Sequence, residues 1–141
     1  MSAANPMLGP TIALVLWTFA IWAWMYATRI PAILQSKMKL DPMAPRGEQM
    51  AQLPAPVRWK ADNYNHLMEQ PTLFYAVTLA LAVAGDATMA SLALAWTYVG
   101  MRVLHSLVQV LVNIIQLRFA LFFLSSLVLL ALTLRAAMLV L

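Results

Sequence analysis

The stretch from Tyr98 to Phe119 is a long apolar run that carries polar and charged side chains at helical spacing. Consecutive polar residues are three or four positions apart, so at about 100° per residue their side chains fall within an arc of roughly 80°. An arginine at the centre of a bilayer costs about 2.5–3.5 kcal/mol on insertion scales. This face must therefore contact protein, a ligand or water. Its members are Arg102, His105, Gln109, Asn113 and Gln116.

A second polar arc lies upstream, in the segment VRWKADNYNHLMEQP at 57–71. Arg58, Asp62, Asn65 and Glu69 are spaced to fall within roughly 60° on a helix. Together the two arcs offer cations, carboxylates and amides, which suit an amino acid or a short peptide. The alternative is a polar network between helices that holds no ligand, with Glu69 pairing to Arg102 at its centre.

Composition predicts an integral membrane protein. Hydrophobic residues make up 63% of the chain and charged residues 10%, whereas soluble domains have about 45–50% and about 25%. The 141 residues fit one domain, 1–141. With no cysteine in the chain, any thiol chemistry must bring its sulfur with the ligand. The two histidines lie in different segments, so no metal site is expected, and neither is a nucleic-acid partner.

The hydrophobic pattern predicts an all-α integral membrane four-helix bundle. We expect helices at about 10–30, 55–84, 87–117 and 119–140, with a polar loop at about 32–54. The first third of that loop, AILQSKMKL at 32–40, can extend the first helix or lie on the membrane surface.

Proline, glycine and acidic residues predict the finer features of these helices. Pro71 is expected to kink the second helix. Gly85 and Asp86 form a turn in which Asp86 caps the third helix. Arg135, near the end of the last helix, is read as a residue that extends to the membrane surface.

The loop at 32–54 carries the net positive charge and is predicted to be cytoplasmic, which places both chain termini on the opposite side. The third helix is expected to be about 45 Å long, more than the ~30 Å hydrocarbon core, so most of its polar face emerges on the loop side. The remaining apolar faces there need protein cover, so we expect an oligomer, with Gly100 permitting close helix approach.

Two motifs resemble those of the MAPEG family, the membrane-associated proteins in eicosanoid and glutathione metabolism. NHLMEQPTLFY at 65–75 is similar to the Asn…Glu…Pro motif of the family's second helix. RVLHSLVQ at 102–109, followed by Arg118 and Phe119, is similar to the Arg-x-x-His/Tyr stretch and downstream arginine of its transferases and synthases. The resemblance covers nearly the whole chain and is of the bacterial type.

The resemblance implies a homotrimer that binds glutathione as co-substrate between subunits, near the cytoplasmic face. Asn65 and Glu69 would bind the glutathione backbone, with Glu69 at its amine, and Arg102 would bind a carboxylate. His105 would shape the site or bind the peptide. Arg118 would be the catalytic residue that stabilises the thiolate. Arg58 or Lys60 would take the place of a basic residue at the start of the motif, and Gln109 stands in the site where a tyrosine is common. The four-residue step from Asn65 to Glu69 departs from the three-residue step of several members.

Three functions remain open at this point. The first is a glutathione-dependent transferase or peroxidase that attacks a lipophilic electrophile or hydroperoxide delivered by the membrane lipid. The second is a non-catalytic scaffold or accessory subunit of a larger membrane complex. The third is a small transporter or channel, which the apolar outer halves of the second and third helices disfavour.

Overall fold

The computed structural model describes residues 4–141, and within them the chain forms six α-helices and no strand. The all-α prediction is confirmed. The helices are α1 (Leu8–Ser36), α2 (Glu48–Ala51), α3 (Ala55–Leu67), α4 (Pro71–Val83), α5 (Met89–Leu111) and α6 (Ile115–Val140).

Helix α1 extends past the predicted end near residue 30, through Pro31, to Ser36. Lys37 then adopts a left-handed conformation with φ of 52° and ends the helix. The following loop is closed by one side chain, because the Gln49 amide donates to the Lys39 carbonyl at 2.7 Å and accepts from the Asp41 amide at 3.1 Å. The short helix α2 lies in this loop, and its Gln49 side chain holds it to the backbone at Lys39 and Asp41.

The predicted helix at 55–84 is two helices in the structure, α3 and α4, separated at Met68–Gln70. Pro71 has no N–H to donate to the Leu67 carbonyl, so the backbone ladder stops here. The Gln70 side chain stabilises the break, since it accepts from the Tyr98 hydroxyl at 3.2 Å and donates to Ser126 Oγ at 2.8 Å. The sequence predicted a kink, and the structure has an interruption held by side chains from α5 and α6.

The corner between α4 and α5 is capped by Thr88 and not by Asp86 as predicted. Gly85 turns the chain with φ of 77°, and Thr88 Oγ1 accepts from the Ser91 amide at 3.4 Å. Asp86 instead accepts from the Thr88 amide at 3.0 Å. Arg135 of α6 donates to both Ser91 and Thr88, at 2.9 and 3.0 Å, so it binds this corner rather than extending to the membrane surface.

Helix α5 ends at Leu111 and α6 begins at Ile115, whereas the sequence placed this corner at 117–119. The reason is Asn113, which takes a left-handed conformation with φ of 52° and donates its amide to the Val108 carbonyl at 2.7 Å. Asparagine is the non-glycine residue that tolerates this conformation best. Asn113 is therefore a helix-ending residue and not a member of the polar face.

Helix α5 is central, in contact with α1, α3 and α6. Its Tyr98 stacks on Phe74 of α4 with ring centroids 4.6 Å apart, and α1 is tied to α4 by a 2.9 Å hydrogen bond between Thr11 and Thr78. Large apolar side chains cover the outer surface of α1 and α6, among them Phe19 and Phe119. Among the described residues, α1 and α6 are each long and apolar enough to cross a membrane.

Candidate functional site

The polar face of α5 is buried inside the chain. The Arg102 side chain has 0% of its surface exposed, and His105 and Gln109 have 2% each. Helix α5 turns this face toward α3 and α6, because its other faces are apolar and lie against α1 or outward. The structure therefore brings three of the predicted site residues together in the interior.

His66 of α3 connects the buried arginine to an exposed carboxylate, a role that the sequence analysis did not assign. Its Nδ1 lies 3.0 Å from Glu69 Oε2, and its Nε2 lies 3.5 Å from Arg102 Nη1. A guanidinium only donates, so Nε2 accepts and Nδ1 carries the hydrogen given to Glu69. Arg102 Nη2 also donates to the His66 carbonyl at 3.3 Å. We call Glu69, His66 and Arg102 the relay.

The relay replaces the Glu69–Arg102 ion pair that the sequence allowed. Within residues 4–141 the only contact closer than 4 Å between a basic and an acidic side chain is His66 with Glu69, and the His66 ring is neutral when its Nε2 accepts from Arg102. Arg102 is thus a buried cation without a carboxylate of its own, and Glu69 is 68% exposed at the far end of the relay.

Buried polar atoms without a partner lie beside the relay. The His105 ring is 4.9 Å from the His66 ring. Its Nδ1, like Arg102 Nε and Ser106 Oγ, makes no hydrogen bond within the described residues. Most buried polar atoms in folded proteins are bonded, so this region retains unused capacity to bind polar groups.

Asn63 pairs with Gln109, whereas the sequence analysis chose Asn65 as the ligand-binding asparagine. The Asn63 amide donates to Gln109 Oε1 at 2.9 Å, and both side chains are buried. Asn65 is exposed. The signal that could have found this pair is spacing, because Asn63 and His66 are three apart and share a face, as Arg102 and His105 do.

The other predicted arc of α3 faces away from α5. Arg58, Asp62 and Asn65 lie roughly half-way around the helix from its buried residues. They line a cavity of about 410 Å³ between α1, the loop around α2, and α3. We call it the arginine cavity. Its lining is Arg29, Arg46, Gly47, Met50, Ala51, Leu53, Val57, Arg58, Ala61, Asp62 and Asn65.

Arg118 lies in the first turn of α6, where Nη1 donates to Asn113 Oδ1 at 2.6 Å. Its Nε is buried without a partner among the described residues. Arg118 and Arg102 both place positive potential at the His66 and His105 rings. The charge of Arg118 therefore acts on the relay, although Arg118 makes no hydrogen bond to it among the described residues. Gln116, the last member of the predicted polar face, is exposed.

Two helices long and apolar enough to cross a membrane, together with a buried polar network, are typical of an integral membrane helical protein. The model of the MAPEG family matches residues 7–138, so the chain belongs to that family. No match was found among curated proteins or among solved structures. The resemblance drawn from the two motifs is confirmed.

Proposed function

We propose that this protein is a glutathione-dependent membrane transferase or peroxidase. The observation that carries the proposal is Arg102, a buried guanidinium that the chain supplies with no carboxylate of its own. Breaking a buried charge pair leaves an uncompensated charge and is strongly unfavourable. A ligand carboxylate provides the missing partner, and glutathione has two.

In this proposal the relay residues and their neighbours bind different parts of the glutathione molecule. Glu69, exposed at the end of the relay, binds the glutathione amine, and Arg102 binds a carboxylate. His105 and Gln109 bind the peptide groups through the capacity that their chain partners leave free. Arg58 and Asn65 line the arginine cavity on the other face of α3, so this proposal does not require them.

Arg118 stabilises the thiolate. A free thiol has a pKa of about 8.5, and the thiolate is the nucleophile. A cation beside the sulfur lowers that pKa, at about 1.4 kcal/mol for each unit. The thiolate then attacks an electrophilic carbon of a lipophilic substrate and forms a C–S bond, while a leaving group departs with its bonding electron pair or the electron pair of an activated double bond moves to the adjacent carbon and takes up a proton. With a hydroperoxide it attacks the terminal peroxide oxygen, so that the O–O bond breaks, the alkoxide takes a proton and leaves as the alcohol, and the sulfur becomes a sulfenic acid. A second thiol then displaces water from the sulfenic acid and forms the disulfide.

The proposed assembly is a homotrimer of four-span subunits, where α3 and α4 together form one span. The loop around α2 lies on the cytoplasmic side with the site, and the termini lie opposite. Support comes from Glu69, which is exposed in the single chain at the mouth of a buried network. A neighbouring copy encloses that mouth and excludes water from the thiolate.

Calorimetry on the detergent-purified protein tests the proposal, with glutathione as the probe. We expect saturable binding that Glu69→Ala weakens about tenfold, equal to about 1.4 kcal/mol. Glu48→Ala, which removes an exposed carboxylate in the loop, is the matched control and binds as wild type. Arg118→Ala binds glutathione but loses turnover of a lipophilic electrophile. Absence of binding at millimolar glutathione would overturn the proposal.

The alternative is a non-catalytic scaffold, and the Asn63–Gln109 pair favours it. That hydrogen bond occupies Gln109, which the enzyme proposal assigns to the ligand, with a partner from the same chain. His105 is nearly inaccessible. A scaffold copurifies with a larger membrane complex and binds no glutathione. Turnover by the isolated protein would exclude it.

A further inference from the structure

The ring of Phe122, on α6, contacts two members of the relay. Arg102 Cζ lies over this ring at 5.8 Å from its centroid, and the centroid of the His66 ring lies 5.2 Å from it. An aromatic ring carries negative potential on its face, so it attracts a cation placed there. Phe122 therefore interacts with the charge of Arg102 and also packs against His66.

This contact matters for Arg102 because the polar contacts of that side chain are few. Arg102 is 0% exposed. Nη2 donates to the His66 carbonyl at 3.3 Å, Nη1 lies 3.5 Å from His66 Nε2, and Nε makes no hydrogen bond within the described residues. A cation–π attraction strengthens when the pair is removed from water. Phe122 thus supplies part of the compensation that a carboxylate would otherwise give.

The contact with Phe122 is compatible with a bound carboxylate. A guanidinium is planar and its five N–H groups point outward in that plane, whereas an aromatic ring is attracted to its face. A carboxylate at the edge of the guanidinium and the ring at its face therefore bind at the same time. A side chain that is already held in its binding orientation loses less conformational freedom when the ligand arrives, which increases affinity.

The backbone of Phe122 is tied to the break between α3 and α4. Its carbonyl accepts from Ser125 Oγ at 2.9 Å and from Ser126 Oγ at 2.8 Å, and Ser126 Oγ accepts in turn from the Gln70 amide at 2.8 Å. Arg118 precedes Phe122 by four residues, so the two side chains lie on one face of α6. Phe122 is thus fixed relative to the elements that carry the proposed site.

We propose that Phe122 is a positioning residue for Arg102, and that its ring holds the guanidinium in the orientation that receives a carboxylate of glutathione. This role rests on the proposed function, because glutathione is the ligand assigned there. A phenyl ring offers no hydrogen bond to a carboxylate, so the effect of Phe122 on carboxylate binding passes through Arg102.

Calorimetry with glutathione on the detergent-purified full chain tests the role of the ring. Phe122→Leu should weaken binding about fivefold, within the range that a cation–π contact contributes. Phe122→Tyr keeps the ring face and should bind within about twofold of wild type. Phe123→Leu is the matched control, because Phe123 is 53% exposed and stacks on Phe119, and it should bind as wild type.

The diethyl ester of glutathione separates positioning of Arg102 from a general packing role. This ester has no carboxylate, so it should bind wild type more weakly than glutathione does. Because Phe122 acts through Arg102, Phe122→Leu should change binding of the ester by less than about twofold. A packing role would weaken the binding of both ligands by the same factor, and that result would overturn the proposal.

Fluorinated phenylalanines at position 122 test the same point in a side chain of nearly unchanged shape, including the case in which Phe122→Leu does not fold. Fluorine reduces the negative potential on the face of the ring. Glutathione binding should therefore weaken stepwise with one, two and three fluorine atoms, and unchanged binding would overturn the positioning role alone. Absence of glutathione binding by wild type would overturn the proposed function and this role with it.

Discussion

His66 links an exposed carboxylate to a buried guanidinium and so carries part of the compensation for the Arg102 charge. Its ring also lies 5.2 Å from Phe122 and 4.9 Å from His105, so packing and hydrogen bonding act at the same position. A substitution can therefore remove the hydrogen bonds of the His66 ring and keep its packing contacts.

We predict that His66→Phe destabilises the protein by about 1–3 kcal/mol, although it keeps the ring contacts. Arg102 then retains only the carbonyl of residue 66 as a partner, and a buried charged donor is left unpaired. His66→Gln restores an acceptor and should recover part of the loss. The free energy of unfolding in detergent checks this, and equal stability of both variants with wild type would show that the relay contributes nothing.

The hydrogen bond between Asn63 and Gln109 predicts that substitutions at these two positions are coupled in their effect on the free energy of unfolding. Asn63→Leu or Gln109→Leu alone leaves a buried amide without its partner and should cost about 1–3 kcal/mol. The double variant replaces both amides with apolar groups and should be closer to wild type than the sum of the two single losses. A double-mutant cycle of unfolding free energies measures this, and strict additivity would mean that the hydrogen bond is without effect.

At the scale of the elements, the break between α3 and α4 is stabilised by Gln70, which lies in the break. The Gln70 side chain accepts a hydrogen bond from the Tyr98 hydroxyl of α5 and donates one to Ser126 Oγ of α6. We predict that Gln70→Ala lowers the free energy of unfolding by about 1–3 kcal/mol, because the Tyr98 hydroxyl loses its acceptor and Ser126 Oγ, which still donates to the Phe122 carbonyl, loses a donor. Gln35→Ala, on the exposed surface of α1, is the control and should change stability by less than about 0.5 kcal/mol.

The α4–α5 corner predicts a pH dependence. Burial raises the pKa of the Asp86 carboxyl, but hydrogen bonds from Ser91 and Thr88 and the charge of Arg135 outweigh it, so the pKa lies below its usual 3.8. A carboxyl with a lowered folded-state pKa contributes stability that is present above 3.8 and is lost as the pH falls through the folded pKa. Wild type should therefore lose stability below about pH 4, and Asp86→Asn should lose less over the same interval. Denaturation from pH 6 to pH 3 measures the difference, and parallel curves would contradict it.

At the scale of the whole molecule, the sequence predicted the all-α fold, the membrane location, the family and the buried face of α5. It did not predict which side of α3 meets α5. That helix is polar on both sides, with Asn63 and His66 on one and Arg58, Asp62 and Asn65 on the other, so the pattern alone cannot select the inner face. The corner at Asn113 was missed because asparagine serves equally as a polar contact and as a left-handed helix end.

The proposed trimer gives a prediction about mass. Native mass spectrometry of the protein released from detergent should show three chains of 15.6 kDa each. Glu69→Arg puts a cation at the mouth of the relay, where copies are proposed to meet, and should reduce that species relative to Glu48→Arg. A monomer as the dominant wild-type species would contradict the proposed assembly.

The interruption between α3 and α4 also bears on how the chain enters the bilayer during synthesis. Helix α4 has 13 residues, which span about 20 Å against a core of ~30 Å, too short for the insertion machinery to recognise as a segment in its own right. The contacts that hold the interruption come from Tyr98, Arg102 and Ser126, all of which leave the ribosome later. Stable insertion of the segment 55–83 into the bilayer therefore waits for the later helices, and truncation before α5, which removes all three partners, should leave that segment accessible to water-soluble labels.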